Sequence, residues 1–375
     1  MKKFLNIYKI EITTLSIIIS LSLLNIYKAT LLNKSYSSYF YKTIIFIFLS
    51  LVMGFIISRL KFKYIYKFRY YLYLINIILL IYPLLFSKSI NHVKAWINLG
   101  FISFQPSEFT KFTCPLVLID LIKKKKYVKS LIVFLIPTIL ILLEPDTGNV
   151  VILFLMYMYL LINKKNKKII YLLSTIVLSL ISIIVVLFII KEKLFISLFN
   201  GSLYYRLKRI IDFKHNYQIT SALIGIGNAK LFPISLSRII VYIPEGVTDF
   251  IFSFSIYNIG IILTIVLLMS YLFFIFNLIY KKSKYKNYFK KKLYGSFLII
   301  FIFQSLYNML MNIGLVPIMG IPLPFFSYGG SNIISYIMML FLINKKISSI
   351  EDKGNNNYKN NYHKVPVGKS CFGMD

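Results

Sequence analysis

Long apolar runs alternate with short basic or polar stretches along most of this chain, and the runs have the length of membrane-crossing helices. Windows of about 20 residues, with shorter spans accepted where a bundle would enclose them, predict ten helices. They fall at roughly 10–32, 40–58, 71–87, 105–122, 129–143, 147–163, 169–190, 249–280, 294–316 and 329–345. The fourth is interrupted by Glu108, Lys111 and Asp120, and the fifth is short. The pattern predicts an all-α polytopic membrane protein: one ten-helix domain over 1–346, with an outer loop at about 191–248 between the seventh and eighth helices. The stretch 347–375, rich in Asn and Lys, is too polar to pack and reads as a disordered cytoplasmic tail.

Charge sorts the connections. Basic clusters stand at Lys2 to Lys9, Arg59 to Arg69, Lys123 to Lys129, Lys164 to Lys168, Lys281 to Lys292 and in the tail, which together hold most of the 44 Lys and Arg. The alternate connections near 33–39, 88–104, 144–146 and 317–328 carry few Lys or Arg by comparison, so the positive-inside rule places both termini in the cytoplasm. Lys2 and Lys3 precede an apolar run without a small-residue cleavage site, which predicts an uncleaved first span.

Composition excludes several classes. A chain that is 58% hydrophobic, with mean hydropathy +0.73, does not form a soluble globule around one core. The formal charge of +32 would suit a nucleic-acid binder, but the cations punctuate apolar runs instead of forming a patch with aromatic readers. No nucleic-acid partner is expected, and biased genome composition accounts for part of the charge. Cys114 and Cys371 make no disulfide framework, and His92, His215 and His363 are too scattered for a metal site.

The twelve acidic residues are more telling, because Glu108, Glu144, Asp146, Glu192, Asp212, Glu245 and Asp249 all fall at or near outer connections. Four outer segments carry dense signals. Lys94, Ala95 and Trp96 lead through Gly100 to Gln105, Pro106, Ser107, Glu108 and Lys111. Trp96 suits an interfacial anchor, Pro106 a helix start, and Glu108 with Lys111 an i, i+3 pair. Burying that pair still costs desolvation, which favours a polar cavity around it. Glu144, Pro145 and Asp146 form a tight connection in which Asp146 or Thr147 would cap the next helix.

In the long outer segment, Arg206 and Arg209 are ordinary solvated charge or a bidentate clamp for phosphate. That segment ends at Pro244, Glu245, Gly246, Val247, Thr248 and Asp249, where the next helix begins. Asp249 reads as an N-cap or as a functional carboxylate at a membrane entrance, and a helix N-terminus would keep it charged. The fourth segment joins Gln304 and Asn308 to the run from Pro317 to Ser331, with Gly320, Pro322, Pro324, Ser327, Gly329 and Gly330. So much irregular backbone near membrane depth is tolerated only inside protein or along a cavity.

In this order, the four segments resemble the SEDS family (shape, elongation, division and sporulation proteins). The likeness covers about 91–345, and the wording of Phe104 to Glu108 favours the RodA branch over FtsW. The resemblance implies a peptidoglycan glycosyltransferase polymerising lipid II on the outer face of the cytoplasmic membrane, with a class B penicillin-binding protein as partner. It also implies that Asp249 is the essential carboxylate and that Trp96, Glu108 and Lys111 line a central cavity, with Arg209 as the loop arginine. Lys94, Arg206, Glu245, Ser327, Gly329 and Gly330 join the expected substrate side. Gln105, Pro106, Glu144, Asp146, Gln304, Asn308, Pro322 and Pro324 are expected to shape the cavity.

Departures from the family pattern stand at Ala95, Val247 and Tyr257-Asn258, which replace an arginine, a histidine and an acidic pair. On this reading Asp249 takes the proton from an attacking sugar hydroxyl, while Arg209, Lys111, Arg206 and Lys94 stabilise the departing pyrophosphate. A divalent cation, Mg or Mn, would suit the pyrophosphate, although no ligand spacing demands one. A lipid II flippase and a non-catalytic scaffold for the transpeptidase would present the same topology.

Overall fold

The computed structural model describes residues 2–32, 36–87, 94–98, 100, 102–162, 216–233 and 241–345. Helices α1 (Lys2–Leu32), α2 (Ser37–Arg59), α3 (Phe62–Lys67) and α4 (Arg69–Phe86) lead to a small hairpin of β1 (Ile97–Asn98) and β2 (Ser103–Phe104). There follow α5 (Pro106–Lys123), α6 (Tyr127–Leu143), α7 (Thr147–Leu161), α8 (Tyr217–Gly227), α9 (Ile251–Asn258), α10 (Ile261–Lys284), α11 (Tyr288–Asn312) and α12 (Gly330–Asn344). Among the described residues, α1, α2, α4, α10 and α11 are long and apolar enough to cross a membrane, and α6, α7 and α12 are shorter apolar helices.

The expected spans meet helices with two qualifications. The span expected at 169–190, the tail and most of the outer loop lie outside the described residues. The single span expected at 249–280 is two helices: α9 ends at Asn258, Gly260 turns the chain with φ +87°, and the crossing helix α10 begins at Ile261. Hydropathy alone does not register that break, because both pieces are apolar.

Helix α5 explains its own charges. It is buried from Pro106 to Ile122 apart from Phe109 and packs against α4, α6, α7, α11 and α12, so it is the enclosed centre of the bundle. A helix surrounded by protein can carry Glu108, Lys111 and Asp120 where other helices supply partners. The peripheral helices instead show one buried stripe. On α1 it runs through Glu11, Thr14, Ile18, Ser22, Asn25 and Ala29, the 3.6-residue period of a helix with one protein-facing side.

Polar contacts gather at the end where α2, α5, α7, α10 and α12 finish. Glu11 pairs with Lys281, which also reaches Asn344, and Arg69 meets Asp120 at 2.6 Å. Lys292 Nζ donates to the carbonyls of Tyr159, Leu160 and Ile162 at 2.8–3.1 Å, and Lys345 Nζ donates to those of Ile57 and Ser58. Ammonium groups there satisfy the last carbonyls of α7 and α2, which have no partner within their helices, and oppose the negative ends of the helix dipoles.

Close approach of α2 and α12 depends on glycine. A Cβ on Gly330 would lie 2.1 Å from the Phe46 ring, and one on Gly54 would lie 2.5 Å from the Phe341 ring. Gly330→Ala is expected to cost about 1–3 kcal/mol through overpacking. Adding Phe46→Ala should relieve it. Thermal unfolding of the single and double variants in detergent checks both statements.

Candidate active site

The site forms at the other end of the bundle, around the turn 244–250. Glu245 adopts φ +52°, and its carbonyl accepts from the main-chain nitrogens of Thr248 and Phe250, which curls the chain before α9. The carbonyls of Val247, Thr248 and Asp249 find their partners in other segments. Tyr328 N donates to Val247 O at 2.8 Å, and Ser327 Oγ donates to Thr248 O at 2.7 Å. Asn308 and Asn312 donate to Asp249 O at 2.8 and 3.0 Å. The turn is thereby stitched to α11 and to the irregular segment before α12.

That segment satisfies its own polar groups in the same manner. The carbonyls of Pro317, Ile321, Pro322 and Pro324 accept from Tyr307, Asn308, Gln304 and Tyr271. Irregular backbone therefore sits inside protein, as its depth requires. Gly320 passes close to this turn: its φ is +62°, and a Cβ there would stand 3.5 Å from Asp249 Oδ2.

The Asp249 carboxylate is left free by this scaffold. Helix α9 starts two residues later with Phe250 as its N-cap and no side-chain cap, so Asp249 does not cap. Its carboxylate oxygens accept no hydrogen bond from the described residues, and the residue as a whole is half-buried. The expectation that a helix N-terminus would hold it charged is also overturned. Its pKa is raised from the ordinary 3.8 to about 7 by burial first, then by the negative neighbours Glu245 and Asp146.

Asp146 does cap, accepting from Asn149 N at 3.0 Å at the start of α7. Its other oxygen accepts from Gln105 Nε2, Ser107 Oγ and Asn149 Nδ2 at 2.7–3.0 Å, which ties α5 to α7. Burial raises its pKa, with the Asn149 hydrogen bonds opposing that rise. Glu144 is fully buried and neither carboxyl oxygen has a partner among the described residues; burial and Asp146 push its pKa to about 9, which favours the neutral form.

Beneath them lies a closed network. Lys111 Nζ donates to both oxygens of Glu108 at 2.8 and 2.9 Å and to Gln304 Oε1 at 3.0 Å. An ammonium has three N–H donors, and all three are spent. Lys111 is wholly buried and, in this arrangement, has no donor left for a phosphate oxygen, which departs from the electrostatic role expected of it. Glu108 also accepts from Asn332 at 2.9 Å and Asn149 at 3.3 Å, while Tyr336 OH donates to Gln304 Oε1 at 2.7 Å.

Other expected substrate contacts have scaffold duties. Ser327 Oγ accepts from Leu323 N as well as donating to Thr248 O, so its hydroxyl is committed, and Gly330 makes room for Phe46. Gly329 lies next to it in extended backbone at the start of α12. Glu245 is exposed and accepts from Thr248 Oγ1 at 2.8 Å. Trp96 is partly buried just before β1, where its carbonyl accepts from Ser87, and Lys94 is exposed. The hairpin is pinned to α12 by Gln105 N donating to Ser331 Oγ at 2.8 Å, with Pro106 in the first turn of α5. Arg206 and Arg209 lie outside the described residues.

The residues expected to depart from the family pattern are internally accommodated. Val247 is buried among Ile243, Phe250 and Phe254. Tyr257 OH accepts from Val241 N, and Asn258 Nδ2 donates to the main-chain and side-chain oxygens of Asn25 on α1. Sequence reasoning missed Asn149, Asn312, Asn332 and Tyr336. Asn312 was within reach: Gln304, Asn308 and Asn312 at i, i+4 and i+8 make one polar stripe on an apolar helix. Among the described residues no three His, Cys, Asp or Glu side chains converge as metal ligands.

An all-helical bundle of apolar spans, with a polar interior and a cluster of carboxylates at one end, defines a polytopic membrane protein with a buried site. The chain belongs to the FtsW, RodA and SpoVE family of cell cycle proteins, whose family model matches residues 3–352. It is 31% identical to the probable peptidoglycan glycosyltransferase FtsW of Wigglesworthia glossinidia brevipalpis, covering 91% of this chain and 94% of that protein. It is 28% identical to the protein of the same name from Coxiella burnetii, covering 81% and 85%. These relatives carry the FtsW name, so the preference for the RodA branch is not supported.

Two solved structures share the fold. One comes from a study of how a peptidoglycan synthase complex coordinates polymerization and crosslinking, with TM-score 0.73, 21% identity and coverage of 89% and 95%. The other is the rod shape determining protein RodA of Thermus thermophilus, with TM-score 0.61, 21% identity and coverage of 89% and 94%.

Proposed function

We propose that this protein is a peptidoglycan glycosyltransferase of the FtsW type, a multi-pass protein of the bacterial cytoplasmic membrane that polymerises lipid II during cell division. The family membership and the names of the relatives support the class of reaction. The observation that carries the chemistry is the state of Asp249: a residue held by its main-chain carbonyl, with carboxylate oxygens that no described residue hydrogen-bonds and a pKa raised to about 7.

Chain extension joins the 4-hydroxyl of one disaccharide to the anomeric carbon of another, whose bond to a lipid pyrophosphate breaks. Asp249 accepts the hydroxyl proton, and a base with its pKa near the working pH is well matched to that transfer. One carboxylate acting on the nucleophile from the face opposite the leaving group gives inversion at the anomeric carbon. Cations from the outer loop, Arg206 and Arg209, and the exposed Lys94 take the pyrophosphate charge. Lys111 instead fixes Glu108 and Gln304, and through Gln304 the carbonyl of Pro322.

The ten-span arrangement with both termini in the cytoplasm belongs to the same proposal, as does a class B penicillin-binding protein as transpeptidase partner. The test uses purified protein in liposomes with labelled lipid II, with and without that partner, scored for glycan polymer. Polymer that depends on this protein is the expected result. Transfer of lipid II between leaflets without polymer, even with the partner present, would replace the polymerase reading by a transporter.

A further inference from the structure

Helix α8 is apolar on two sides. One side is buried against the catalytic turn: Ile219 and Ala222 share a cluster with Ile243, Val247, Phe250 and Phe254, and a Cβ on Gly225 would meet Ile243 at 2.5 Å. The other side exposes Tyr217, Leu223 and Ile224, and the chain leaving the helix exposes Leu231 and Phe232 by 60% and 69%. An apolar patch of this kind marks contact with something other than water.

Depth shows what that is. Ile261 N and Ile262 N, in the first turn of the membrane span α10, donate to the carbonyls of Lys230 and Leu231 at 2.9 and 3.2 Å. Gly260 allows the approach, because a Cβ on it would stand 2.7–2.9 Å from the Leu231 and Phe232 backbone, and its φ of +87° disfavours other residues. Leu231 and Phe232 are therefore held level with the first turn of a span. The lipid-facing side of that span, with Ile262 and Ile265 exposed, continues the same apolar surface. Lys230 next to them is exposed and long enough to reach the headgroups.

We propose that α8 and residues 228–233 form an anchor lying in the plane of the membrane, with Tyr217, Ile224, Leu231 and Phe232 immersed in phospholipid of the leaflet at the site end. The occupant of this surface is lipid, by continuity with the lipid-facing side of α10. Since the buried side of α8 packs on residues 243–254, the bilayer itself helps hold the turn that carries Asp249. The inference stands on burial and hydrogen bonding and does not depend on the glycosyl-transfer reading.

The test places nitroxide labels one at a time at Ile224, Leu231 and Phe232 of the full chain in phosphatidylglycerol-containing liposomes, with Cys114→Ser and Cys371→Ser. Ile265 serves as the lipid reference and Lys94 as the aqueous one. Severalfold greater collision with oxygen than with a water-soluble nickel chelate, as at Ile265, is expected. Nickel access like that at Lys94 would overturn the proposal in favour of water, and protection from both reagents would overturn it in favour of a protein cover such as a second copy. A parallel Phe232→Trp, Trp96→Phe variant gives the same decision without a label: quenching by bromolipids supports the anchor, and its absence refutes it.

Discussion

Asp249→Asn should reduce lipid II polymerisation by about 10²- to 10⁴-fold, the usual contribution of a positioned general base, while the protein remains folded. The folded state is expected to survive because the carboxylate oxygens hold none of the described residues in place; the carbonyl of residue 249 makes the structural bonds, and Asn keeps it. The pH dependence gives a second reading. A base must be ionised to accept a proton, so with a pKa of about 7 the wild-type kcat/KM should rise about tenfold per pH unit below that value and level off above it.

Linkage fixes the sign for stability. The folded-state pKa of Asp249 lies above its ordinary value of 3.8, so the folded state binds the proton more tightly, and this contribution is lost as pH rises from about 4 through 7. At pH 8 the neutral Asn variant should therefore unfold at the same temperature as wild type or higher. An Asn variant that polymerises as fast as wild type would remove Asp249 from the chemistry, and one that unfolds early would leave its lost activity with a structural cause.

The second large effect is at the buried pair. Lys111→Met leaves Glu108 charged in a fully enclosed position with only the amides of Asn149 and Asn332, and breaking such a pair costs about 3–5 kcal/mol. Glu108→Gln in the same chain removes the orphaned charge and should recover most of that stability. Chemical unfolding in mixed micelles, run as a double-mutant cycle, measures both steps. If Lys111→Met instead keeps full stability, loses activity and is not rescued by Glu108→Gln, the lysine acts on substrate and the closed network opens during turnover.

Much of the fold was legible because membrane length and charge placement leave a strong trace in sequence. The spans expected at 40–58, 71–87 and 129–143 meet α2, α4 and α6 within a few residues, and the one at 10–32 meets α1, which begins earlier, at Lys2. The fourth span also forms, even though Glu108, Lys111 and Asp120 weaken its hydropathy, since those side chains are paid for by partners on other helices. Hydropathy has no term for such partners. It also missed the break at Gly260, where a positive φ and a close backbone contact separate two apolar helices.

At the candidate site the sequence singled out Asp249, Glu108, Lys111, Asp146 and Gln304 from the scarcity of charge in an apolar chain. It could not assign their states. Asp146 and Asp249 both stand before helices, and capping suited each equally well; only Asp146 is turned onto its helix, while the 244–250 turn ends with Phe250 at that position. Ser327 and Gly330 belong to a loop read as substrate-facing, yet one hydroxyl is consumed by two backbone partners and one missing side chain is filled by a ring from α2.

By itself the sequence determined the class of molecule, the apolar spans and the identity of the scarce ionisable groups, because those follow from transfer of side chains and charges between water and a bilayer. The tertiary structure decided which of those groups remain free to act. Whether an ammonium keeps an open donor depends on acceptors brought from residues far away in the chain, such as Gln304 beside Lys111, and how the Asp249 side chain is presented depends on Asn308 and Asn312 holding its main-chain carbonyl. Local sequence does not record those distances, so the spent donors of Lys111, and Asp249 oxygens that no described residue hydrogen-bonds, became visible only in the folded chain.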